Sequence, residues 1–575
     1  MCGIAGVFGS GWDESQLSKM VNSLQHRGPD AEGVFIDPTR IAGLGHRRLS
    51  IIDLTEAGNQ PLSDETGRYV LIYNGEIYNY LELREELRSF YHFRSKTDSE
   101  VLLAAYLKWG EACLDRFIGM FAFIIWDTKT KTLFAARDRF GVKPFYYAIS
   151  QDSVLYVASE IKALHAAGIP RIPNESVWAS YLTNGIYDHS SQTFWANVLK
   201  LLPGCSMTWS NGDVKIKRWY DLYERVGDSV DNSSLEVVKK DYTALLEESV
   251  RLRFRSDVPV GINLSGGLDS AVLFRLVQNI HGDSGDIKVF TFITGDSYYD
   301  ELPWVNKILA GSSYPIFTCL LQPSEIPVIA ENVSASQDEP FGGFPTLAYV
   351  KLFKEARQQG VKVLLDGQGM DEQLAGYDYY QVDKNISMNT GPVQGSTTSV
   401  TLPDCLDRDF KDRVVAKQVP HLFKDQLRNL QYRDMFYSKI PRALRFNDRA
   451  SMMESCELRE PFLCHRLVEK GFQQPKEWKI ADGKGKWLLR EIAKELLPND
   501  VREAPKRPVQ TPQREWLQRE LAPWAEDCIE KGLYGWGEQW FEKDKVRTAW
   551  KTFRENGRDN SFPFWQWINL GLMQK

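Results

Sequence analysis

MCGIAG sets a thiol at position two, ahead of small residues. Removal of Met1 makes Cys2 the N-terminus, and a nucleophile there can borrow the α-amine as its base, as N-terminal threonine enzymes do. A small buried residue at the start of a strand is the other reading of those six residues. Further on, INLSGGLDSAVLF runs an apolar strand into Ser265-Gly266-Gly267-Leu268-Asp269-Ser270 and then a helix. Glycines let backbone N–H groups close around an anion. The Ser265 and Ser270 hydroxyls add donors, and the helix N-terminus adds positive potential. No G-K-[ST] follows, so this is not the P-loop pattern. A ligand-free Gly-rich turn is the alternative, but the C-terminal end of a strand is where open α/β sheets bind ligands.

LLDGQGMDEQLAGY again follows a strand and sets Asp366, Asp371 and Glu372 around two glycines. Acids there can hold Mg²⁺, which takes oxygen ligands together with substrate phosphates. Asp269 and Asp371 are the expected metal pair; taken alone, such acids are as readily solvated turn residues. KGKWLLRE spaces Lys486 and Arg490 by one helical turn. Both could neutralise a departing pyrophosphate, or simply line a solvated face.

The elements that must carry these residues differ along the chain. The first 225 residues read as β-rich, with RYVLIYNGEIYN and MFAFIIWD as buried strands and KTLFAARD, PFYYAI and VLYVASE at hairpin spacing. DESQLSKMVNSLQ predicts an amphipathic helix with a capping box from Asp13 to Gln16, and a second helix starts at Asp98 and stops at Gly110. Residues 222–236 are polar and read as a linker. Beyond them VPVGINL, KVFTFITG and VKVLLDGQG alternate with helical patterns, which predicts a parallel α/β domain. Residues 385–402 read as a mobile insertion or lid. The tail after Pro505 reads as helical and holds seven of the 17 tryptophans, which are assigned to packing.

A chain of 575 residues suggests two to four domains. Its 43% hydrophobic and 25% charged residues are ordinary for a folded protein, and a net charge of −6 argues against nucleic acid as a partner. Eight scattered cysteines without a C-x-x-C pair exclude a disulfide framework or zinc site and predict a reducing compartment. No stretch approaches about 18 apolar residues, and the start lacks a signal-peptide pattern, so a cytoplasmic protein is expected.

MCGIAG, HRGPD, HRRLSIID, YNGEIYN and TDSE resemble the glutaminase domain of class II glutamine amidotransferases. SGGLDS, DGQGMDE, NDRASM, ELREPFL and KGKWLLRE resemble the synthetase domain of the glutamine-hydrolysing asparagine synthetase family, an ATP pyrophosphatase. The resemblance implies an αββα N-terminal-nucleophile sandwich over 1–225. It implies a parallel-sheet ATP-pyrophosphatase domain with a helical tail over 226–575. Cys2 would attack the glutamine amide, with Asn74 and the Gly75 N–H as the oxyanion hole. Arg48 would pair with the glutamine carboxylate, Glu76 and Asp98 would hold its ammonium, and the backbone of Leu49, Ser50, Ile51 and Ile52 would line the pocket. Ammonia, kept from water, would reach a second site. There ATP and an acceptor carboxylate form an acyl-adenylate, and ammonia displaces AMP. ATP would contact the SGGLDS loop, Asn263, Leu264, Thr294, Asp366, Gly367 and Lys486, with Mg²⁺ on Asp269 and Asp371. The acceptor region would include Gln368, Asp371, Glu372 and Arg459. A homodimer is compatible with all of this.

The synthetase half departs from the family pattern. Gln368 stands where S-G-E-G-x-D-E has a glutamate linked to the acceptor and to deprotonating the incoming ammonium. Glu460 and Cys464 replace the valine and aspartate of R-V-P-F-L-D-H. Gln368 cannot take up a proton at neutral pH, so either another base serves or this loop handles a different acceptor. Aspartate is the named acceptor; uronic acids, peptidoglycan precursors and peptides are the alternatives. Intramolecular lactam formation is disfavoured, because relatives that carry it out have a degenerate glutaminase.

Overall fold

The computed structural model describes residues 1–283, 286–381, 400–415, 419–504, 511–556 and 560–574. The N-terminal part is built on two six-stranded antiparallel sheets. The first centres on Gly3–Phe8, flanked by Ala42–Arg48 and Leu155–Ala158; the second centres on Tyr69–Ile77, Gly119–Asp127 and Thr132–Arg137. Alternating apolar residues give each strand two usable faces. Ile4, Phe8, Leu44, Ile72, Ile124 and Trp126 meet between the sheets. Leu17, Met20 and Val21 of helix Glu14–Ser23 cover the outside of the first sheet. Helix Asp98–Trp109 covers the outside of the second. The result is the expected αββα sandwich, and Asp13 caps its helix through the Gln16 box as the spacing predicts.

The polar stretch at 222–236 is more structured than a linker reading implies. Asp221 caps a short helix, Leu222–Val226, through the Tyr223 and Glu224 N–H groups, and a 19-residue helix, Leu235–Arg253, begins before the stretch ends. The Asp221 cap starts a helix despite the low apolar content around it.

The C-terminal part holds a five-stranded parallel sheet in the spatial order Ile316–Leu320, Val289–Ile293, Val260–Asn263, Val363–Leu365, Glu457–Arg459. The chain order reverses between Val260–Asn263 and Val363–Leu365, and a ligand crevice opens at such a switch point. The SGGLDS and DGQGMDE loops leave these two strands side by side. The helical tail packs as predicted: Trp516, Trp540, Trp550, Trp565 and Trp567 are buried in one cluster with helix Gly343–Gln358. The expected lid at 385–402 lies outside the described residues up to 399. No described helix is long and apolar enough to cross a membrane.

Candidate active sites

The motif residues gather in two concave sites. The first lies at one end of the sandwich and is lined by Cys2, Arg48, Leu49, Gly75, Glu76 and Asp98 among others. Pairing of Gly3 with Arg47 brings the start of the chain beside Arg48 and Leu49. The end of Tyr69–Ile77 in the other sheet delivers Asn74, Gly75 and Glu76. Asp98 opens its helix just after the Thr97 cap.

Burial raises the Cys2 thiol above its ordinary value, against the pull of the N-terminal ammonium and the Leu49 N–H. A neutral thiol of this kind needs a base before it attacks. With Met1 in place the α-amine is not on Cys2. The Met1 ammonium pairs with Glu457 at 2.7 Å, fully buried, and the Cys2 amide N–H donates to Asn74 Oδ1 at 2.9 Å. Asn74 Nδ2 is buried without a partner. An orphaned buried donor costs about 1–3 kcal/mol, and a donor waiting for charge to develop is what an oxyanion hole consists of. Gly75 is required by packing: a Cβ there would lie 2.1 Å from the Met120 carbonyl oxygen.

Asp98 accepts from the Tyr73 hydroxyl and the Ile77 N–H, both at 2.8 Å. Burial lifts its carboxyl to about 6 against those hydrogen bonds. Burial and the charges of Glu457 and Asp98 push Glu76 well above the carboxylate range, and its Oε2 has no hydrogen bond. Arg48 faces the pocket but also holds its rim, with Nη1 donating to the Thr55 carbonyl at 2.7 Å and to Asn59 Oδ1 at 2.9 Å. Ile51 and Ile52 line the pocket; Ser50 does not, and its N–H donates to Asp30. Sequence reasoning missed Gln60 and Tyr73. Gln60 lines the pocket and accepts from the Tyr73 N–H at 2.7 Å.

The second site is a cleft of about 590 Å³ at the switch point of the parallel sheet. Ser265 through Ser270, Asn263, Asp366, Gly367, Gln368, Asp371 and Lys486 line it, as does Arg490. Ser265 and Ser270 share a hydroxyl hydrogen bond at 2.9 Å, and Asn263 Nδ2 donates to Asp366 Oδ2 at 2.7 Å. Lys486 reaches Asp269 at 2.6 Å and Asp371 at 2.7 Å. Burial alone would lower the Lys486 ammonium, but the two carboxylates more than reverse it. Lys486 holds φ +57°, a left-handed backbone unusual for a lysine, at the start of helix Trp487–Ile492. Asp269 and Asp371 thus converge from two loops. Among the described residues no group of three or more metal-ligating side chains forms. A pair of hard oxygen donors beside a phosphate loop fits Mg²⁺, which completes its shell with water and substrate phosphate.

Four residues expected at the cleft fall elsewhere. Thr294 faces a neighbouring groove, and its hydroxyl donates to Asp300 at 2.8 Å. Glu372 lies under the cleft, accepting from the Tyr377 hydroxyl at 2.6 Å. Leu264 lines a small recess beside the cleft rather than the cleft itself. Arg459, expected in the acceptor region, is fully buried between the two sites. It pairs with Glu457 at 2.6 Å and with Glu76 at 3.4 Å, because its strand is the sheet edge facing the sandwich. A second buried link runs through Arg27, which donates to the Cys2 carbonyl at 3.0 Å and binds Asp448 in a fork at 2.8 and 3.1 Å. Arg27 and Asp448 sit in the HRGPD and NDRASM motifs. Charges unexplained by either site were the available signal for both.

The Glutamine amidotransferase domain family matches residues 1–220, and the Asparagine synthase family matches residues 241–575. Asparagine synthetase [glutamine-hydrolyzing] 1 of Bacillus subtilis is 31% identical over 98% of this chain and 95% of its own length. Asparagine synthetase [glutamine-hydrolyzing] 3 of the same organism is 30% identical over 87% of this chain and 85% of its own. Amidase chyE of Penicillium rubens is 31% identical over 71% of this chain and 60% of its own. The chain belongs to the asparagine synthase family, as a glutamine-dependent, asparagine synthetase-like amidotransferase that uses ATP.

Proposed function

We propose that residues 1–225 hydrolyse glutamine and residues 226–575 use the released ammonia to amidate a carboxylate activated by ATP, with aspartate as the acceptor. The orphaned Asn74 Nδ2 above Cys2 carries the glutaminase reading. Cys2, freed of Met1, attacks the glutamine amide carbon while its α-amine relays the thiol proton to the leaving nitrogen. An α-amine titrates near 7.7–8.0, close enough to neutrality for that relay. Asn74 Nδ2 and the Gly75 N–H take the oxyanion. Arg48 holds the substrate carboxylate, and Glu76 and Asp98 its ammonium.

In the cleft, the SGGLDS backbone and hydroxyls hold the ATP phosphates, with Asn263, Asp366 and Gly367 toward the nucleoside. Mg²⁺, when bound by Asp269 and Asp371, would neutralise phosphate charge. Lys486 turns from those carboxylates to the leaving pyrophosphate. The acceptor carboxylate attacks the α-phosphate, and ammonia then displaces AMP.

An acceptor screen that scores AMP and pyrophosphate with glutamine present tests the reading. Aspartate should give the highest kcat/KM. A sugar acid or peptide exceeding it would transfer the function to that class, an outcome favoured by Gln368 and by similarity to a protein named an amidase.

A further inference from the structure

Gln368 lines the cleft at a position where the resemblance calls for a proton acceptor, yet its amide cannot serve as one. The next strand over supplies a carboxylate. Val363–Leu365 and Glu457–Arg459 are parallel neighbours with Leu365 opposite Arg459, and the Asp366 N–H donates to the Arg459 carbonyl at 2.9 Å. Glu460 is therefore the first residue beyond its strand, beside the start of the Asp366–Gly369 turn. It is 4% exposed, and its Oε2 has no hydrogen-bond partner. A buried carboxylate left in this state is costly unless it is used.

Its surroundings set it between the two sites. The charges acting on Glu460 are Lys143 from the sandwich, Asp366 at the cleft, Arg253 at the end of helix Leu235–Arg253, and Asp448 on helix Ile440–Met453. Tyr78 also feels its charge. Asp448 is the residue forked by Arg27, which in turn holds the Cys2 carbonyl. Arg27, Asp448, Glu460 and Asp366 are all buried, and Glu460 lies within electrostatic reach of both Asp448 and Asp366. We propose that Glu460 replaces the missing glutamate of the DGQG turn: it deprotonates ammonium on its way into the synthetase cleft. The step is NH₄⁺ plus the Glu460 carboxylate giving NH₃ plus the carboxylic acid, with no heavy-atom bond made or broken. The ammonia lone pair then attacks the acyl-adenylate. Burial, against the pull of Lys143, lifts the Glu460 carboxyl to about 8, within reach of an ammonium proton near neutral pH.

The inference rests on the amidotransferase reading, so its test separates the two. Cys2→Ala enzyme, with the acceptor returned by the screen, is supplied with ammonium or with hydroxylamine, a nucleophile that is already neutral at pH 7. Adding Glu460→Gln should lower the ammonium-to-hydroxylamine ratio of AMP formation by about 10²–10⁴-fold. Adding Gln368→Glu to that variant should restore the ratio. An unchanged ratio, including equal loss with both nucleophiles, would overturn the role of Glu460. A restoration that fails would overturn the replacement of one glutamate by the other. Absence of AMP from the parent enzyme with both nucleophiles would instead overturn the amidotransferase reading, and Glu460 with it.

Discussion

The two sites solve opposite problems. The Cys2 pocket is small, made where two antiparallel sheets end together, and it holds its polar groups in wait: an unpaired Asn74 donor, a neutral thiol, and acids lifted by burial. The cleft is wide and rich in charge, and its charges satisfy one another, with Lys486 shared by Asp269 and Asp371. The difference follows from the substrates each would take. A neutral amide that becomes an oxyanion needs donors fixed beforehand. A triphosphate brings its own charge, and a site built for it must neutralise itself when empty or carry an uncompensated buried charge.

The contrast makes the sites separable by substitution. Cys2→Ala should cut glutamine-driven AMP formation by on the order of 10⁴-fold while sparing turnover with added ammonium. Loss of both activities in a folded variant would mean that the sites are not independent. Asp269→Ala should lower pyrophosphate release by about 10²–10³-fold with glutamate release retained. Chelation of Mg²⁺ should act in the same direction, and pyrophosphate assays read both.

The pocket should also respond to pH. Asp98 must be ionised to hold the glutamine ammonium, and its carboxyl lies near 6. Glutaminase kcat/KM should therefore fall about tenfold per pH unit below 6. A profile flat from pH 5 to 8 would remove Asp98 from substrate binding.

Where the sites meet, the buried charges should matter to stability as well. Arg459→Met removes the cation that Glu76 faces and one of the cations paired with Glu457, at about 3–5 kcal/mol. A lowered unfolding midpoint and a higher glutamate-to-AMP ratio should appear together, since one side chain touches both halves. The smallest effect should come from Glu460→Gln. An unfolded glutamate ionises from about pH 4.3, whereas folded Glu460 loses its proton around 8, leaving only a minor carboxylate fraction at neutral pH. Ionisation thus favours unfolding increasingly between those values. The Gln variant should match the parent near pH 4 and exceed its midpoint by a few degrees at pH 8.

The SGGLDS and DGQGMDE loops were legible as spacing, because a strand, a glycine turn and a helix start are local features. The Asp13 cap and the helix beginning at Asp98 were legible for the same reason. Arg459 and Thr294 were not: their roles depend on which strand becomes a sheet edge and which groove a loop faces, and neither is encoded within a few residues. The polar stretch at 222–236 misled because low apolar content hides the Asp221 cap and the start of helix Leu235–Arg253.

Sequence alone settled the chemistry on offer: a thiol at position two, a phosphate loop, an acidic turn, and a glutamine where a glutamate would serve. Local order along the chain suffices for that, since each motif builds its own turn. Tertiary structure alone decided how the motifs meet. Strand order 3-2-1-4-5 brought residues 263–270 beside residues 366–371. It also brought Glu460 to the turn that lacks a base, and buried Arg27, Asp448 and Arg459 between two sites more than 200 residues apart in the chain. Those contacts depend on long-range pairing of strands and on the burial that follows, which no short stretch of residues specifies.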